Sequence, residues 1–341
     1  MISFGTSANG KTNRRRGRSL SLPLLVVAAT VTALLLAGCA RSRGEPGAEI
    51  SQELRARRAE RSEVTLELVY PEWSSETASA HLFQAVLQER LGYQVQLRPV
   101  PVEQMWAQVA EGEADILTGA WLPTTHQGYY QEYGDDLVDL GPNLEGAKIG
   151  LVVPTVTPGR QTGATGKQGQ ELVTITTIPE LRETADRFDG RIVGIESGAG
   201  VVARTREAVD AYGLSGLYYL VEADEERMVR RVGEAVRREE WIVATGWRPH
   251  WVFELYNLRF LEDPRGVYGG EESVHTMVRE GFEGYAPDAQ EALDRIAYAP
   301  EDLERLMRWI HEDEEDDPYR QALRWLDSHP ETVDAWVEGI E

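Results

Sequence analysis

Lysine is almost missing from this 341-residue chain: only Lys11, Lys148 and Lys167 occur, and every other basic residue is arginine. Cysteine is scarcer still, with Cys39 alone. One cysteine excludes an intrachain disulfide and leaves no thiol pair for a metal. No Gly-x-Ser-x-Gly elbow and no recognisable metal-ligand motif occurs anywhere in the chain. The common nucleophilic and metal-assisted routes to catalysis are therefore without residues. No enzyme activity, cofactor or metal is expected, and a hydrolase of small amides or esters is the enzyme class left over.

Positive charge is also short. Residues 1–38 hold five basic and no acidic residues, so the remainder carries 30 basic against 57 acidic, a net charge of −27. Such a field argues against nucleic acid, whose phosphates require Lys and Arg. An acidic, lysine-poor surface suits solubility at high salt, where self-repulsion is screened. A GC-rich genome favours Arg over Lys just as well, so the two explanations stand side by side.

The basic residues at the start have a different meaning. Arg14, Arg15, Arg16 and Arg18 precede an apolar stretch at 22–36, followed by Leu36-Ala37-Gly38-Cys39. The apolar run is short for a membrane span of roughly 20 residues. Its flanks fit an export signal removed before Cys39. The Leu-Ala-Gly-Cys sequence matches the bacterial lipobox, so residues 1–38 read as a lipoprotein signal peptide and Cys39 as the lipidated new N-terminus. Residues 39–62 read as a lipidated flexible tether, too polar and charged to order themselves by burial, with room for a short helix around 53–60.

From residue 64 onward, short strands alternate with helices. Strands are expected at 64–70, 94–100, 115–120 and 149–153, with helices starting at Ser74 or Ser75 and running to 90, and at 102–111. After a Gly-, Thr- and Gln-rich stretch at 158–170, strands are expected at 191–195, 217–221 and 241–245, with helices at 201–211 and 225–238. Beyond Pro264 the chain reads as helical near 273–280, 288–296, 300–311, 319–328 and 331–338. This βαβα order implies an α/β protein with a largely parallel sheet. Two such units, with a helical tail packing back on the first, suggest two hinged lobes.

Nine tryptophans divide by position. Trp106, Trp309, Trp325 and Trp336 lie in amphipathic helices and Trp241 opens a strand, where packing is the expected role. Trp73, Trp121 and Trp247 instead follow predicted strands, in Tyr70-Pro-Glu-Trp73, Gly119-Ala-Trp121-Leu-Pro and Thr245-Gly-Trp247-Arg-Pro. Ligands of open α/β sheets bind beyond the carboxyl ends of the strands. Three indole faces there could form a cage for a cation, worth roughly 2 kcal/mol or more when desolvated. A methylated ammonium suits such a box because it has no N–H to satisfy. Ordinary packing would explain the same three positions. The turn Ser197-Gly-Ala-Gly200-Val201 opens a predicted helix, a geometry that suits an anion but also serves as a plain turn. The acidic run 311–317 lacks the glycine and spacing of a calcium loop and reads as a solvated surface. His250 reads as orienting its loop, and His81 and His275 as helical residues without a metal partner.

Together these segments resemble the glycine betaine/proline betaine substrate-binding proteins of ABC transporters. The resemblance runs from Val64 to Trp336. It rests on Trp73-Ser-Ser-Glu, Met105-Trp106, Trp121-Leu-Pro-Thr-Thr-His126, Gly146-Ala-Lys-Ile-Gly-Leu-Val-Val-Pro154, Gly198-Ala-Gly200-Val201, Thr245-Gly-Trp247-Arg-Pro-His-Trp251 and Leu261-Glu-Asp-Pro264. It implies a two-lobed periplasmic-binding-protein fold (type II-like) with the ligand cleft between lobes. On this basis lobe 1 comprises 63–153 with 262–341, and lobe 2 comprises 154–261. It implies that Trp73, Trp121 and Trp247 box the quaternary ammonium. His126 and the backbone amides of Gly200 and Val201 would then take the carboxylate. Partners implied are a betaine, an ABC permease and its ATPase, and a membrane reached through the lipid anchor, with the protein acting as a monomer. The expected role is extracytoplasmic capture of glycine betaine, or a relative such as proline betaine, for osmoprotection. A choline or carnitine receptor is the alternative. The stretch 157–170 is longer than the family's usual connection, which bears on the hinge and on no site residue.

Overall fold

The structure is a computed structural model that describes residues 46–155 and 172–340. The signal peptide expected at 1–38, Cys39 and the 157–170 stretch lie outside the described residues. Residues Ser51–Glu341 form one compact unit, and the description below is of that unit.

The first described element is helix α1 (Pro46–Arg61), so the expected tether is helical over most of its length. Its exposed middle buries little, but Arg61 is anchored: its guanidinium pairs with Asp288 and donates to the carbonyls of Leu91 and Ile340. An arginine with five donors can tie one helix end to three separate segments. Strand β1 (Thr65–Tyr70) then alternates as its sequence does, with Leu66 and Leu68 fully buried. It leads into α2 (Ser74–Ala85), which continues as a π-helical turn to Leu91. Strand β2 (Gln94–Pro99), helix α3 (Val102–Ala110) and strand β3 (Ile116–Leu122) follow. β3 is buried at every position, as befits a central strand.

Helix α4 (Gln127–Tyr133) precedes an 18-residue strand, β4 (Leu137–Pro154). The sequence led us to expect only its last third, because Gly141, Pro142 and Gly146 interrupt the earlier part, and the register indeed shifts across those residues. The second half of the chain contributes β5 (Arg191–Val193), α5 (Gly200–Ala211), β6 (Tyr219–Val221), α6 (Glu225–Arg238), β7 (Ala244–Arg248), α7 (Val252–Tyr256) and β8 (Leu258–Phe260). Next comes β9 (Glu272–Arg279). Helices α8 (Phe282–Tyr285), α9 (Pro287–Arg295), α10 (Pro300–His311), α11 (Pro318–Ser328) and α12 (Pro330–Val337) complete it.

β9 corrects the sequence expectation of a helix near 273–280. Its residues alternate in burial along Glu272–Thr276 and are then buried to Val278, and it inserts antiparallel between β3 and β4. His275 is therefore a strand residue, paired with Asp139, whereas His81 is helical as expected. The strand order among the described residues is β2-β1-β3-β9-β4-β7-β5-β6, with β8 on β4. Among the named strands, parallel pairing holds within β1–β2–β3 and β5–β6–β7. The strands that link the two groups run antiparallel, so the sheet is mixed and not largely parallel.

β4 belongs to both halves. Leu137–Ala147 pairs with β9, whereas Lys148–Val152 pairs with β7 and the strand's end with β8. The chain crosses once along β4 and returns after β8. The helical tail packs back on the first half, with α10 and α11 against α2. Of the helical tryptophans, Trp106, Trp325 and Trp336 are buried, the last two stacked on each other, while Trp309 and Trp241 are half-buried under Arg324 and Arg187.

Candidate functional site

Where the parallel strands of the two halves end, their connections face one another across a single pocket of ≈ 290 Å³, its mouth included. It is lined by Trp73, Trp121, Thr125, His126, Ile149, Ile195, Ala199, Gly200, Val201 and Trp247. All six ligand-contact residues expected from the sequence are thus brought together. The three indoles arrive from three different strand ends: Trp73 just before α2, Trp121 near the end of β3, and Trp247 near the end of β7. The latter two are each followed by a cis X-Pro bond, at Leu122-Pro123 and Arg248-Pro249. All three are buried, at 7%, 3% and 4% exposure.

The edges of these rings are held differently. Trp121 Nε1 donates to Glu76 Oε1 at 2.9 Å, and Trp73 Nε1 donates to Glu196 Oε1. Trp247 Nε1 has no partner among the described residues, and its ring lies 4.6 Å from that of His250. Burial pushes the Glu76 carboxyl up to about 7, with the nearby Glu225 charge adding to the effect. Burial also raises Glu196. For Glu225 burial acts upward too, yet His250 and the Ser74 hydrogen bonds hold it below the usual carboxylate range.

His126 is completely buried. Its Nδ1 accepts the Trp121 backbone N–H at 3.1 Å, which places the ring hydrogen on Nε2, and Nε2 has no partner among the described residues. Burial drives its pKa down to about 3, against a smaller opposing pull from the Gly119 carbonyl. The ring is therefore a neutral donor at any ordinary pH. Trp106, assigned to core packing from the sequence, does pack in the core, but against this ring, edge to face at 6.0 Å. Glu272 accepts from both the Thr124 and Thr125 amides, fixing the turn that delivers His126.

Opposite His126 stands the start of α5. Gly200 and Val201 are its first two residues, whose N–H groups have no acceptor within the helix. Gly200 approaches Thr125 so closely that a Cβ on it would fall 2.2 Å from the Thr125 carbonyl oxygen. Glycine is required there by contact between the halves. Further bonds span them: Tyr129 to the Gly198 carbonyl, Arg204 to the Thr124 carbonyl, and the Ser74 amide to Glu225 at 2.8 Å. Glu225 also accepts from the Ser74 hydroxyl and lies 3.1 Å from His250 Nε2. His250 is fully buried in this cluster, consistent with orienting its loop.

Glu76, Glu196, Glu225, Glu272 and Thr125 were not singled out from the sequence. In a chain so acidic, single glutamates carry no local mark. Only the indole N–H groups, which demand acceptors when buried, could have pointed to Glu76 and Glu196, and nothing local marks the other three. The described residues hold no cluster of His, Cys, Asp and Glu suited to a metal ion. Among them no helix is long and apolar enough to cross a membrane.

Residues 64–328 match the family described as the substrate binding domain of the ABC-type glycine betaine transport system. The chain is 31% identical over 169 residues to the glycine betaine/carnitine transport binding protein of Listeria monocytogenes. That match covers 49% of this chain and 56% of the relative's length. Among solved structures, the lactococcal OpuAC in its closed form with glycine betaine superimposes with a TM-score of 0.71. It is 34% identical, and the match covers 81% of this chain and all of that one. A choline-binding protein of an ABC transporter in complex with choline gives 0.69 at 26% identity, covering 81% and 92%. The architecture is thus the expected two-lobed α/β binding-protein fold, with its cleft between the lobes.

Proposed function

This chain belongs to the family of substrate-binding domains of ABC-type glycine betaine transport systems, and we propose that it captures glycine betaine outside the cytoplasm for import as an osmoprotectant. The observation that carries this reading is the pairing of two unlike sets of groups within one pocket. Three indoles line it together with a neutral His126 donor and two helix-start residues whose amides are free of the helix. A trimethylammonium group offers no N–H and is best held by aromatic faces. A carboxylate released from water needs N–H donors, because an unpaired buried charge is costly.

Each end of the pocket draws on both lobes. Trp73 and Trp121 with Trp247 would enclose the cation, and His126 with Gly200 and Val201 would take the carboxylate. With the lobe bounds expected from the sequence, 63–153 with 262–341 and 154–261, β4 would be the strand that passes between the lobes. A ligand touching both lobes at both of its ends binds the closed arrangement more tightly than the open one, and so draws the lobes together. The interlobe bonds at Ser74–Glu225, Tyr129–Gly198 and Arg204–Thr124 would form in the same movement. The closed protein would then be the form that a permease and its ATPase recognise.

The lipobox supports a lipid anchor at Cys39, holding a monomeric receptor at the membrane surface. A Cys39→Ser variant should then lose its partition into detergent; unchanged partition after processing would refute the anchor. A calorimetric titration of the mature protein against glycine betaine, proline betaine, carnitine and choline tests the ligand. Glycine betaine is expected to bind most tightly. A preference for choline would overturn the assignment, and that second reading has its own support in the likeness to the choline-binding protein. It also has support in the carboxylates that gather behind the indoles.

A further inference from the structure

Glu76 has no part in the binding scheme above, yet it is among the most deeply buried charges in the protein, at 2% exposure in the first turn of α2. Its Oε1 accepts the Trp121 indole N–H at 2.9 Å and faces the Ser75 hydroxyl at 3.5 Å. Its Oε2 has no hydrogen-bond partner among the described residues. The carboxylate packs against Gly119, where a Cβ would fall 2.2 Å from Oε2. β3 therefore carries a glycine where Glu76 packs and, two residues on, the tryptophan that Glu76 holds. A glutamate buried merely to fill space would have both oxygens satisfied or be replaced by an apolar residue.

We propose that Glu76 is a specificity-determining residue of the cation end, placing negative charge behind the Trp121 indole for ligands whose positive group has no N–H to donate. The proposal rests on the cage reading given above. An ionised carboxylate accepting an indole N–H pushes electron density toward the ring face. It also sets a second negative charge close to the ligand, in surroundings where charges are weakly screened. The neutral acid does neither well.

Without a ligand, burial keeps the Glu76 pKa at about 7, so near neutrality the acid form is well populated. A quaternary ammonium in the cage favours the carboxylate, so its entry expels the proton to solvent. The sign follows: the unliganded protein binds more protons than the complex, so affinity rises with pH and levels off above about 7. Other groups facing Glu76 are Glu225 across the lobes, the Tyr298 hydroxyl beneath it, and the Ser75 hydroxyl on its own helix. Glu225 is held below the usual carboxylate range, Tyr298 is pushed far up by burial, and neutral His126 titrates at about 3. Glu196, behind Trp73, is the other carboxylate that burial raises, and its variant serves as the control.

The experiment is calorimetry of the mature protein with tetramethylammonium and with glycine betaine between pH 6 and 8, in two buffers of different ionisation heat, for wild type, Glu76→Gln and Glu196→Gln. Glutamine keeps an oxygen for the Trp121 N–H and removes only the charge. Wild type should release part of a proton on binding either ligand near pH 7. Glu76→Gln should release none, lose the pH dependence, and bind tetramethylammonium about tenfold more weakly. The loss for glycine betaine should be smaller, because its carboxylate is repelled by the same charge. Glu196→Gln should keep the proton release. Proton release that survives Glu76→Gln, or is absent in wild type, overturns the proposal, and the wild-type measurement needs no variant to fold. A wild type that binds tetramethylammonium with proton release but ignores glycine betaine would leave Glu76's role standing and overturn the betaine assignment. A wild type that binds neither overturns both.

Discussion

The pocket is lined by two sets of groups built from opposite materials. One is large apolar rings, two of which have carboxyl groups behind them, on Glu76 and Glu196. The other is small neutral donors: the His126 Nε2–H and the amides of Gly200 and Val201. In the proposed scheme the rings would form a cation end and the donors an anion end, and no formally charged side chain lines the pocket. A direct ion pair would exact a desolvation penalty on each of its members. Rings and backbone dipoles avoid most of it, because their partial charges are already fixed in place by the fold. The difference also confines pH sensitivity: His126 stays neutral well below pH 5, whereas Glu76 changes charge near neutrality.

The largest effect should come from the point where the anion end touches the opposite lobe. Gly200→Ala sets a methyl against the Thr125 carbonyl, an atom of backbone that cannot swing aside. Closure should be obstructed and affinity for glycine betaine and choline alike reduced by about 3 kcal/mol. Calorimetry with both ligands checks this, and unchanged affinity would mean that the two segments do not meet in the bound state. Next come the rings. Trp73→Ala, Trp121→Ala and Trp247→Ala should each cost about 2 kcal/mol for either ligand, since both carry the same ammonium head. Trp→Phe should cost less. Trp325→Ala, which removes a fully buried ring stacked on Trp336, should instead lower the melting temperature with little change in intrinsic affinity. Equal affinity losses from Trp325 and the three pocket rings would break the assignment of the cation end.

His126→Ala should have the smallest and the most selective effect. Losing one hydrogen bond to a charged group costs about 1.5 kcal/mol, and only glycine betaine has the carboxylate to lose it. The ratio of glycine betaine to choline affinity should therefore narrow in the variant. A variant that loses both ligands equally would make His126 a packing residue, held between Trp106 and Tyr129.

Much of this pocket was legible in the chain because its parts are local. Trp73, Trp121 and Trp247 each sit at a turn between strand and helix, and the Gly198-Ala-Gly200 turn opens a helix by its own chemistry. Helix α6 was legible to the residue, Glu225–Arg238, because its apolar stripe and its Asp224 cap agree. By contrast, the long β4 and the strand β9 were not legible. β9 owes its conformation to β3 and β4 on either side, partners more than a hundred residues away in the chain. A segment of eight residues that pairs only at long range carries no decisive local preference, and tertiary context overrides whatever it has.

The sequence by itself determined which residue types could meet a quaternary ammonium and a carboxylate, and on which turns they would stand. Folding decided what lies behind them. That Glu76 among 57 acidic residues ends at the N–H edge of the Trp121 indole, buried and with Gly119 cleared for it, depends on α2 docking against β3. That His126 is a neutral donor depends on complete burial and on the amide of Trp121. Both are consequences of desolvation, and desolvation belongs to the packed protein and to no stretch of chain taken alone.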